Sequence, residues 1–291
     1  MNKIKEQLDL IHNDYAKRDI TLIHIADLHF SSITKPNTLQ RIKESIIKKN
    51  PDYLVITGDL IDTPSITKNK YKIKELLKFL TDLSNYTKII ISLGNHDIFC
   101  DSDKVFFEKL NELDNIYLLD NSSYQDEYIF IGGLTLPTSY YYNMSHDEST
   151  EVLLEHLDKH KRLITKLPPK LPKVLLVHSP IKLLDPIVLS KLKEYDLLLS
   201  GHTHAGMVPD FLNSFFKSNT GIIAPNKRFF PSLARGKVEK IVGNKKITLI
   251  ITGGITKLSA RSSKILSKLN FVYNISINKI IITKKRGKYY E

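Results

Sequence analysis

Residues 196–204 read Asp-Leu-Leu-Leu-Ser-Gly-His-Thr-His, an apolar run that ends in a glycine and two histidines. Three earlier stretches share this design, because each places polar side chains directly after a short run of β-branched and apolar residues. They are Asp27-Leu28-His29, Gly58-Asp59 and Gly94-Asn95-His96-Asp97. Neighbouring strands of an α/β sheet end side by side at one edge. Carboxylate, amide and imidazole groups together are typical ligands of first-row divalent metals. The sequence therefore predicts an α/β sheet with a metal site at one edge.

The rest of the chain also favours an α/β fold, because predicted strands alternate with predicted helices through its first two-thirds. The predicted strands cover 21–26, 52–57, 88–93, 116–119, 128–131, 174–177 and 196–199, and the predicted helices cover 39–49, 71–83, 104–113, 148–163 and 186–193. Two later strands, 246–252 and 271–283, have little helix between them. This pattern predicts a mixed sheet, or a second sheet packed on the first.

The first twenty residues are predicted to form a helical extension, because Ile4, Leu8, Ile11 and Tyr15 fall on one helical stripe. Packing of this helix on the domain surface is favoured over binding to a membrane, since its charges are mixed rather than basic. A single domain is predicted over 21–291. Within it, the segment 205–246 has little periodicity and is predicted to be a long loop on the substrate side of the site.

The composition narrows the class of protein. The 291 residues are 42% hydrophobic and 25% charged, as in globular domains, and no apolar run approaches the ~20 residues that span a bilayer. Cys100 is the one cysteine, so no internal disulfide forms and a cytoplasmic location is expected. The net charge of +12 comes mostly from lysines spread along the chain, which fits an anionic substrate. A nucleic acid is not favoured, because the charges are not clustered, and peripheral membrane contact stays open.

Seven residues in or near these stretches are candidate metal ligands. They are Asp27, His29, Asp59, Asn95, His178, His202 and His204. Seven ligands are too many for one tetrahedral ion and suit two ions, with Asp59 as the natural bridge. Two ions roughly 3.5–4 Å apart can hold a phosphoryl group and lower the pKa of a bridging water. For any one histidine, the alternative is a buried, hydrogen-bonded side chain with no metal.

Five motifs stand in order along the chain: Asp-x-His, Gly-Asp-x-x-Asp, Gly-Asn-His-Asp, a lone His and Gly-His-x-His. On these motifs the chain resembles the calcineurin-like metallophosphoesterase superfamily, over about residues 21–283. The resemblance implies a four-layer αββα sandwich of two mixed sheets flanked by helices. It also implies the ligands of each ion: Asp27, His29 and His204 for one metal, Asn95, His178 and His202 for the other, and Asp59 between them.

The same resemblance implies a mechanism. His96 matches the catalytic histidine of the family and would act as general acid, with Asp62 orienting its ring, while Asp97 would brace the loop. The reaction implied is hydrolysis of a phosphoester by direct attack of a metal-bridging hydroxide. Two divalent ions are expected, with Mn²⁺ favoured and Fe or Zn²⁺ also suited to these ligands.

The motifs are most similar to the bacterial YkuE/YaeI-type phosphodiesterase branch of the superfamily, so a phosphodiester is favoured over a monoester. Thr63-Pro64 stands where the phosphoprotein phosphatases have Arg-Gly, which argues against that branch. Ala205 and Met207 depart from the usual ending of the last motif, at the substrate side. Two alternatives are a DNA or RNA nuclease of the same fold and a non-catalytic binding or scaffold protein on that fold.

The segment after His204 supplies the candidate substrate contacts Arg228, Lys227 and Phe211. Aromatic and basic side chains together can stack on bases or hold lipid tails beside a phosphate, although the aromatics could instead anchor the loop. Tyr140-Tyr141-Tyr142 raises the same question from another loop. The expected partner is a phosphoester, whether a small molecule, a nucleotide or a lipid head group.

Overall fold

The computed structural model describes residues 3–31, 34–62, 69–100, 105–142, 148–217, 219–224, 229–258 and 266–284. Two six-stranded sheets pack face to face, and helices cover their outer faces. This architecture confirms the predicted sandwich of two mixed sheets. In the described residues, no helix combines the length and the apolar character needed to cross a membrane.

The first sheet is parallel around its centre and has strand order β1-β12-β2-β3-β4-β5. Strands β2 to β5 run parallel to one another, whereas β12 is antiparallel to β2 and parallel to β1. The bounds are β1 Ile4–His12, β2 Ile20–Ile25, β3 Tyr53–Thr57, β4 Lys88–Ser92, β5 Ile116–Leu119 and β12 Ile275–Thr283.

The second sheet has strand order β10-β11-β9-β8-β7-β6. Its four inner strands run parallel, and the edge strands β6 and β10 are antiparallel to their neighbours. The bounds are β6 Ser122–Gln125, β7 Phe130–Leu134, β8 Lys173–Val177, β9 Leu197–Ser200, β10 Gly236–Val242 and β11 Lys245–Ile251.

The helices follow from apolar stripes and capping residues. In helix Pro36–Ile47, Leu39, Ile42 and Ile46 are buried against the first sheet. Asn69 caps helix Lys70–Ser84, since its side chain accepts a hydrogen bond from the Lys72 N–H. The other α-helices are Asn95–Cys100, Val105–Asn111, Thr138–Tyr142, Glu148–Lys159 and Pro186–Leu192, and the 3₁₀ helices are Lys161–Leu163, His204–Met207, Asp210–Phe215 and Leu266–Val272.

Residues Ile4–His12 form strand β1, so the prediction of an N-terminal helix is wrong for them. Their burial alternates with a period of two: Asp9 and Ile11 are buried, whereas Leu8 is 55% and Leu10 is 41% exposed. The apolar residues that suggested a helical stripe thus do not share one face. The local structure is decided by pairing with β12, in which Ile4 is paired with Ile275, 271 residues further along the chain.

The predicted loop over 205–246 is only partly a loop. Gly236–Val242 is the edge strand β10, paired with β11, and Asp210–Phe215 is a 3₁₀ helix. Strand β10 was not predicted because it is an exposed edge strand. Three successive side chains of this strand are exposed, so its sequence shows no alternation of apolar and polar residues. Strand β6 and helix Thr138–Tyr142 were also not predicted.

The apolar layer between the sheets should dominate stability. Ile250 is fully buried there, whereas Ile241 on β10 is 78% exposed. We expect Ile250→Ala to lower the free energy of unfolding by about 2–5 kcal/mol, because it removes buried methyl groups and leaves a cavity. Ile241→Ala, the matched control, should change it by about 0.5 kcal/mol or less. Urea denaturation measures both, and equal effects would contradict this assignment of the core.

Candidate metal centre

The polar residues of the sequence motifs meet where β2, β3, β4, β8 and β9 end. The loops after these strands turn sharply, since several of the residues adopt left-handed backbone conformations. Positive φ values occur at Asp27 (52°), His29 (44°), Asp59 (54°), His202 (67°) and His204 (48°). Such a conformation costs a residue other than glycine roughly 1–2 kcal/mol. The rest of the fold must therefore hold these side chains in place.

The Asp-x-His motif is held by the neighbouring loop. The backbone N–H of Asp27 donates to Gly58 O at 3.1 Å, and that of His29 donates to Asp59 O at 2.9 Å. Both residues lie beyond the end of β2, so strand alternation does not bring their side chains together, as the spacing alone had suggested. Two left-handed residues separated by Leu28 turn both side chains to the same site instead.

One group of ligand atoms comes from Asp27, His29 and His204, and these atoms lie within 4.8 Å of one another. His204 Nδ1 donates to Thr256 O at 2.8 Å, which leaves Nε2 with its lone pair facing the group. Burial lowers the pKa of His204 to about 4, so the ring is neutral near pH 7. A neutral imidazole with one nitrogen free is the form that binds a metal.

A second group comes from Asp59, His178 and His202, again within 4.8 Å. His178 Nδ1 donates to Thr57 O at 2.7 Å, and its Nε2 lies 3.1 Å from His202 Nδ1. Burial opposes a charge on His178, but Asp59 raises its pKa to about 9. Burial and the neighbouring His178 lower the pKa of His202 well below its ordinary value.

Asp59 lies between the two groups. Its Oδ2 is 3.6 Å from His29 Nε2 and 3.2 Å from His178 Nε2. Its Oδ1 accepts a hydrogen bond from the His96 backbone N–H at 2.9 Å. Although burial opposes its charge, the surrounding histidines hold the pKa of Asp59 well below its usual range. From this position the Asp59 carboxylate could be shared by two cations, one at each group of ligand atoms.

The donor set can be tested for fit to a pair of metal ions. Among the described residues, His29 Nε2, His202 Nε2 and Asn95 Oδ1 are buried side-chain atoms without a hydrogen-bond partner. Buried polar atoms are rarely left in this state without a reason. All three belong to the predicted ligands, and nitrogen and oxygen donors suit first-row divalent ions. The residues present therefore fit two divalent ions.

Two glycines allow the loops to approach closely. A Cβ atom at Gly94 would lie 2.2 Å from Asp59 Oδ1, and one at Gly58 would lie 2.6 Å from the Gly94 backbone. Gly58 also has a φ of 80°. Any side chain at Gly94 would thus displace Asp59, which explains why a glycine precedes Asn95.

His96 lies at the outer side of the centre, with 15% of its side chain exposed. Its Nδ1 donates to the backbone carbonyl of Asp62 at 3.0 Å, while Asp62 Oδ1 lies 3.5 Å from it. The same Oδ1 is closer to His29 Nδ1, at 3.2 Å. Asp62 therefore orients His96 through its main chain and faces His29 with its carboxylate. Burial lowers the pKa of His96, although Asp59 opposes this effect.

Asp97 joins the loops that follow β3 and β4. Its carboxylate accepts hydrogen bonds from the N–H groups of Leu60, Ile61 and Gly94 at 2.8, 3.1 and 2.9 Å. These contacts support the predicted bracing role.

Tyr141 is a residue at the centre whose role the sequence had left open. Its ring centroid is 5.4 Å from that of His202, and its hydroxyl is buried without a hydrogen-bond partner among the described residues. A buried phenol hydroxyl on a ring beside the candidate ligands can donate a hydrogen bond to a bound anion. The signal in the sequence was only a run of three tyrosines, which did not distinguish Tyr141 from its neighbours.

Of the predicted substrate contacts, Phe211 lies in the 3₁₀ helix Asp210–Phe215 and is 73% exposed. Lys227 and Arg228 lie outside the described residues. Cys100 is buried in the apolar cluster beside the first sheet, as expected for a small apolar side chain.

Comparison with known proteins relates this arrangement to a family. The uncharacterized metallophosphoesterase Cj0846 of Campylobacter jejuni is 26% identical over 196 residues, which cover 67% of this chain and 47% of that protein. The chain thus spans about half the length of this relative. The uncharacterized metallophosphoesterase YkuE of Bacillus subtilis is 25% identical over 196 residues, 64% of this chain and 59% of that protein.

A third relative carries a specific activity in its name. It is the UDP-2,3-diacylglucosamine pyrophosphatase LpxG of Chlamydia muridarum, 25% identical over 256 residues that cover 75% of this chain and 72% of that protein. Residues 20–206 match the model of the calcineurin-like phosphoesterases. This match covers more than half of the chain and contains every motif described above, so the chain belongs to the calcineurin-like phosphoesterase family.

Proposed function

We propose that this chain hydrolyses a phosphodiester at a centre of two divalent metal ions. The observation that carries the proposal is the pair of ligand groups, Asp27 with His29 and His204 and Asp59 with His178 and His202, with Asp59 in contact with both. Asn95 adds a buried amide oxygen without a partner among the described residues. When bound, two such ions supply Lewis acidity and lower the pKa of water.

The side chains around the centre would then divide the remaining work. His96 has its Nδ1 proton directed to the Asp62 carbonyl, so in the imidazolium form it would pass its Nε2 proton to the leaving oxygen and be left as the neutral ring. The Tyr141 hydroxyl would donate to a phosphoryl oxygen. The buried position of Cys100 removes the one thiol as a nucleophile, and water is the nucleophile we propose.

We further propose that the substrate is a phosphodiester, that the metal is Mn²⁺ and that the protein is cytoplasmic. The motif pattern supports the diester, and the relative LpxG is named a pyrophosphatase of UDP-2,3-diacylglucosamine, a substrate in which each phosphorus carries two substituents. Carboxylate, amide and imidazole donors suit Mn²⁺, and a single cysteine fits a reducing compartment. A nuclease of the same fold is less favoured, since the lysines are spread along the chain.

The proposal is tested by comparing the turnover of a chromogenic aryl phosphodiester with that of the matching monoester. Both are measured with Mn²⁺ and with EDTA. We expect metal-dependent cleavage of the diester, and a fall of at least about 100-fold in Asp59→Asn, because even residues beyond the direct ligands of a metal site are worth 10–100-fold. The exposed Asp114→Asn is the control and should retain full turnover. Preference for the monoester would instead assign a phosphatase.

Substitution of His96 separates an enzyme from a scaffold. In His96→Gln we expect turnover to fall by about 100-fold or more, because the proton donor is lost. The metal content, measured by inductively coupled plasma mass spectrometry, should stay at the wild-type value, since His96 is not among the proposed ligands. His12→Gln, on the exposed side of β1, should match the wild type in both measurements. Unchanged turnover in His96→Gln would argue for another proton donor or a non-catalytic role.

Tyr141→Phe tests the proposed contact to the phosphoryl group. The hydroxyl has no partner among the described residues, so its removal should leave the free energy of unfolding within about 0.5 kcal/mol of wild type. A hydrogen bond to a charged group is worth about 1.5–3 kcal/mol, so kcat/KM should fall by about 10-fold or more. Tyr142→Phe is the matched control, because Tyr142 is in the same helix and is 73% exposed. Equal kcat/KM values for the two variants would exclude the contact.

A further inference from the structure

A cavity of about 470 Å³ lies beside the metal centre, at the edge of the sandwich where β1 and β12 begin and β11 ends. None of the seven candidate metal ligands lines it. Its wall includes Ala205, which follows His204, and Gly253, which precedes Gly254. A Cβ atom at Gly254 would lie 2.7 Å from Asp27 Oδ2, so this backbone contacts the metal centre on its other side. The cavity is therefore adjacent to the metal centre but separate from it.

The charges around the cavity favour an anion. The described lining residues include four cationic side chains and one carboxylate, that of Asp210; the four are Lys5, Arg235, Lys237 and Lys257. Lys237 has a counter-ion in Glu239, at 3.0 Å. Asp210 is the one carboxylate among the described lining residues, so the cationic side chains outnumber it in a partly closed space, where charge interactions are stronger than in water.

Lys257 is the central group, because it is only 3% exposed. Its Nζ donates to the carbonyl oxygens of Gly253 and Gly254 and lies 3.3 Å from Ser276 Oγ. All three of these partners are neutral groups. Burial lowers the pKa of Lys257 to about 7, although Asp27 and Asp210 oppose this effect. A buried ammonium group normally has a counter-ion, and an anion in the cavity would provide one.

The remaining lining groups suit a ligand with hydroxyl groups. Asn219 Oδ1 is buried and has no hydrogen-bond partner among the described residues, so it can accept from a hydroxyl. Asn213 contacts Arg235 and holds its guanidinium group at the wall. The volume exceeds that of a phosphate ion and falls within the range of 300–1,000 Å³ that is typical of small-molecule sites.

We propose that this cavity is a second binding site, separate from the metal centre, which takes a small hydroxylated phosphate ester. Arg235 would contact the phosphate, since arginine is a usual partner of phosphate groups. Lys257, whose three N–H donors are directed to Gly253, Gly254 and Ser276, would contribute its positive charge. Asn219 would accept from a hydroxyl group of the ester. Because Gly253 lines the cavity and the next residue, Gly254, lies against Asp27, an occupant would be separated from the metal centre by this backbone.

Isothermal titration calorimetry tests this proposal. The metal-loaded full chain is titrated with 3,4-dihydroxybutylphosphonate, a mimic of the ester that a phosphoesterase cannot cleave because a C–P bond replaces the ester bond. We expect two equivalents to bind, one at the metal centre and one in the cavity. Lys257→Met and Arg235→Gln should each weaken the cavity equivalent by at least about 10-fold, because the first removes a buried positive charge and the second a charge-assisted contact. Lys246→Met, which removes an exposed lysine of β11, should retain both equivalents. His202→Ala should lose only the equivalent at the metal centre.

Several results would overturn the proposal. Binding of one equivalent that His202→Ala abolishes and Lys257→Met leaves unchanged would place the ligand at the metal centre alone. An equal loss in Lys246→Met would indicate attraction by net charge. Inorganic phosphate binding as tightly as the mimic would overturn the assignment to an ester. Circular dichroism checks the folding of each variant, and Arg235→Gln decides the outcome if Lys257→Met does not fold.

Discussion

The contact between the loops after β3 and β4 is the constraint on which the rest of the centre depends. Asp59 is on the first loop and Gly94 is on the second. Asp59 can lie between the two groups of candidate ligand atoms only because Gly94 has no side chain. Asp97 then joins the same loops through three backbone N–H groups. Without these contacts, the left-handed conformations at Asp27, His29 and Asp59 would have no compensation.

The burial of so many ionisable groups requires a rigid support. The layer between the sheets is lined mostly by apolar side chains, and buried polar side chains adjoin it near the centre. Thr57 lies at this boundary: its carbonyl accepts from His178, and its hydroxyl lies 2.9 Å from the Nε2 of the buried His24. Burial lowers the pKa of His24 to about 3, so this ring is neutral and belongs to the core. One residue thus couples the packing of the sheets to the orientation of a ligand.

The segment Gly253–Lys257 links the metal centre to the cavity beside it. Thr256 O accepts from His204, and Gly254 lies against Asp27. On the opposite side, Lys257 fastens the same backbone through its ammonium group. The position of two metal-site residues therefore depends on a buried charge that does not itself belong to the centre.

The sequence by itself determined the α/β class and the set of residues that meet at the ends of the strands, because apolar runs followed by Asp, Asn or His mark strand ends locally. The sandwich of two sheets was implied by the resemblance of its motifs to the family. It determined less about the edges of the sheets. The strand at Ile4–His12 and the strand at Gly236–Val242 are specified by partners distant in the chain, and local periodicity carries no record of such pairing. Only the tertiary structure decided that Asp62 orients His96 through a carbonyl, that the ring of Tyr141 lies beside that of His202, and that Lys257 is buried beside a cavity. These features depend on the distance between loops that are far apart in sequence, and this distance is set by how the two sheets pack.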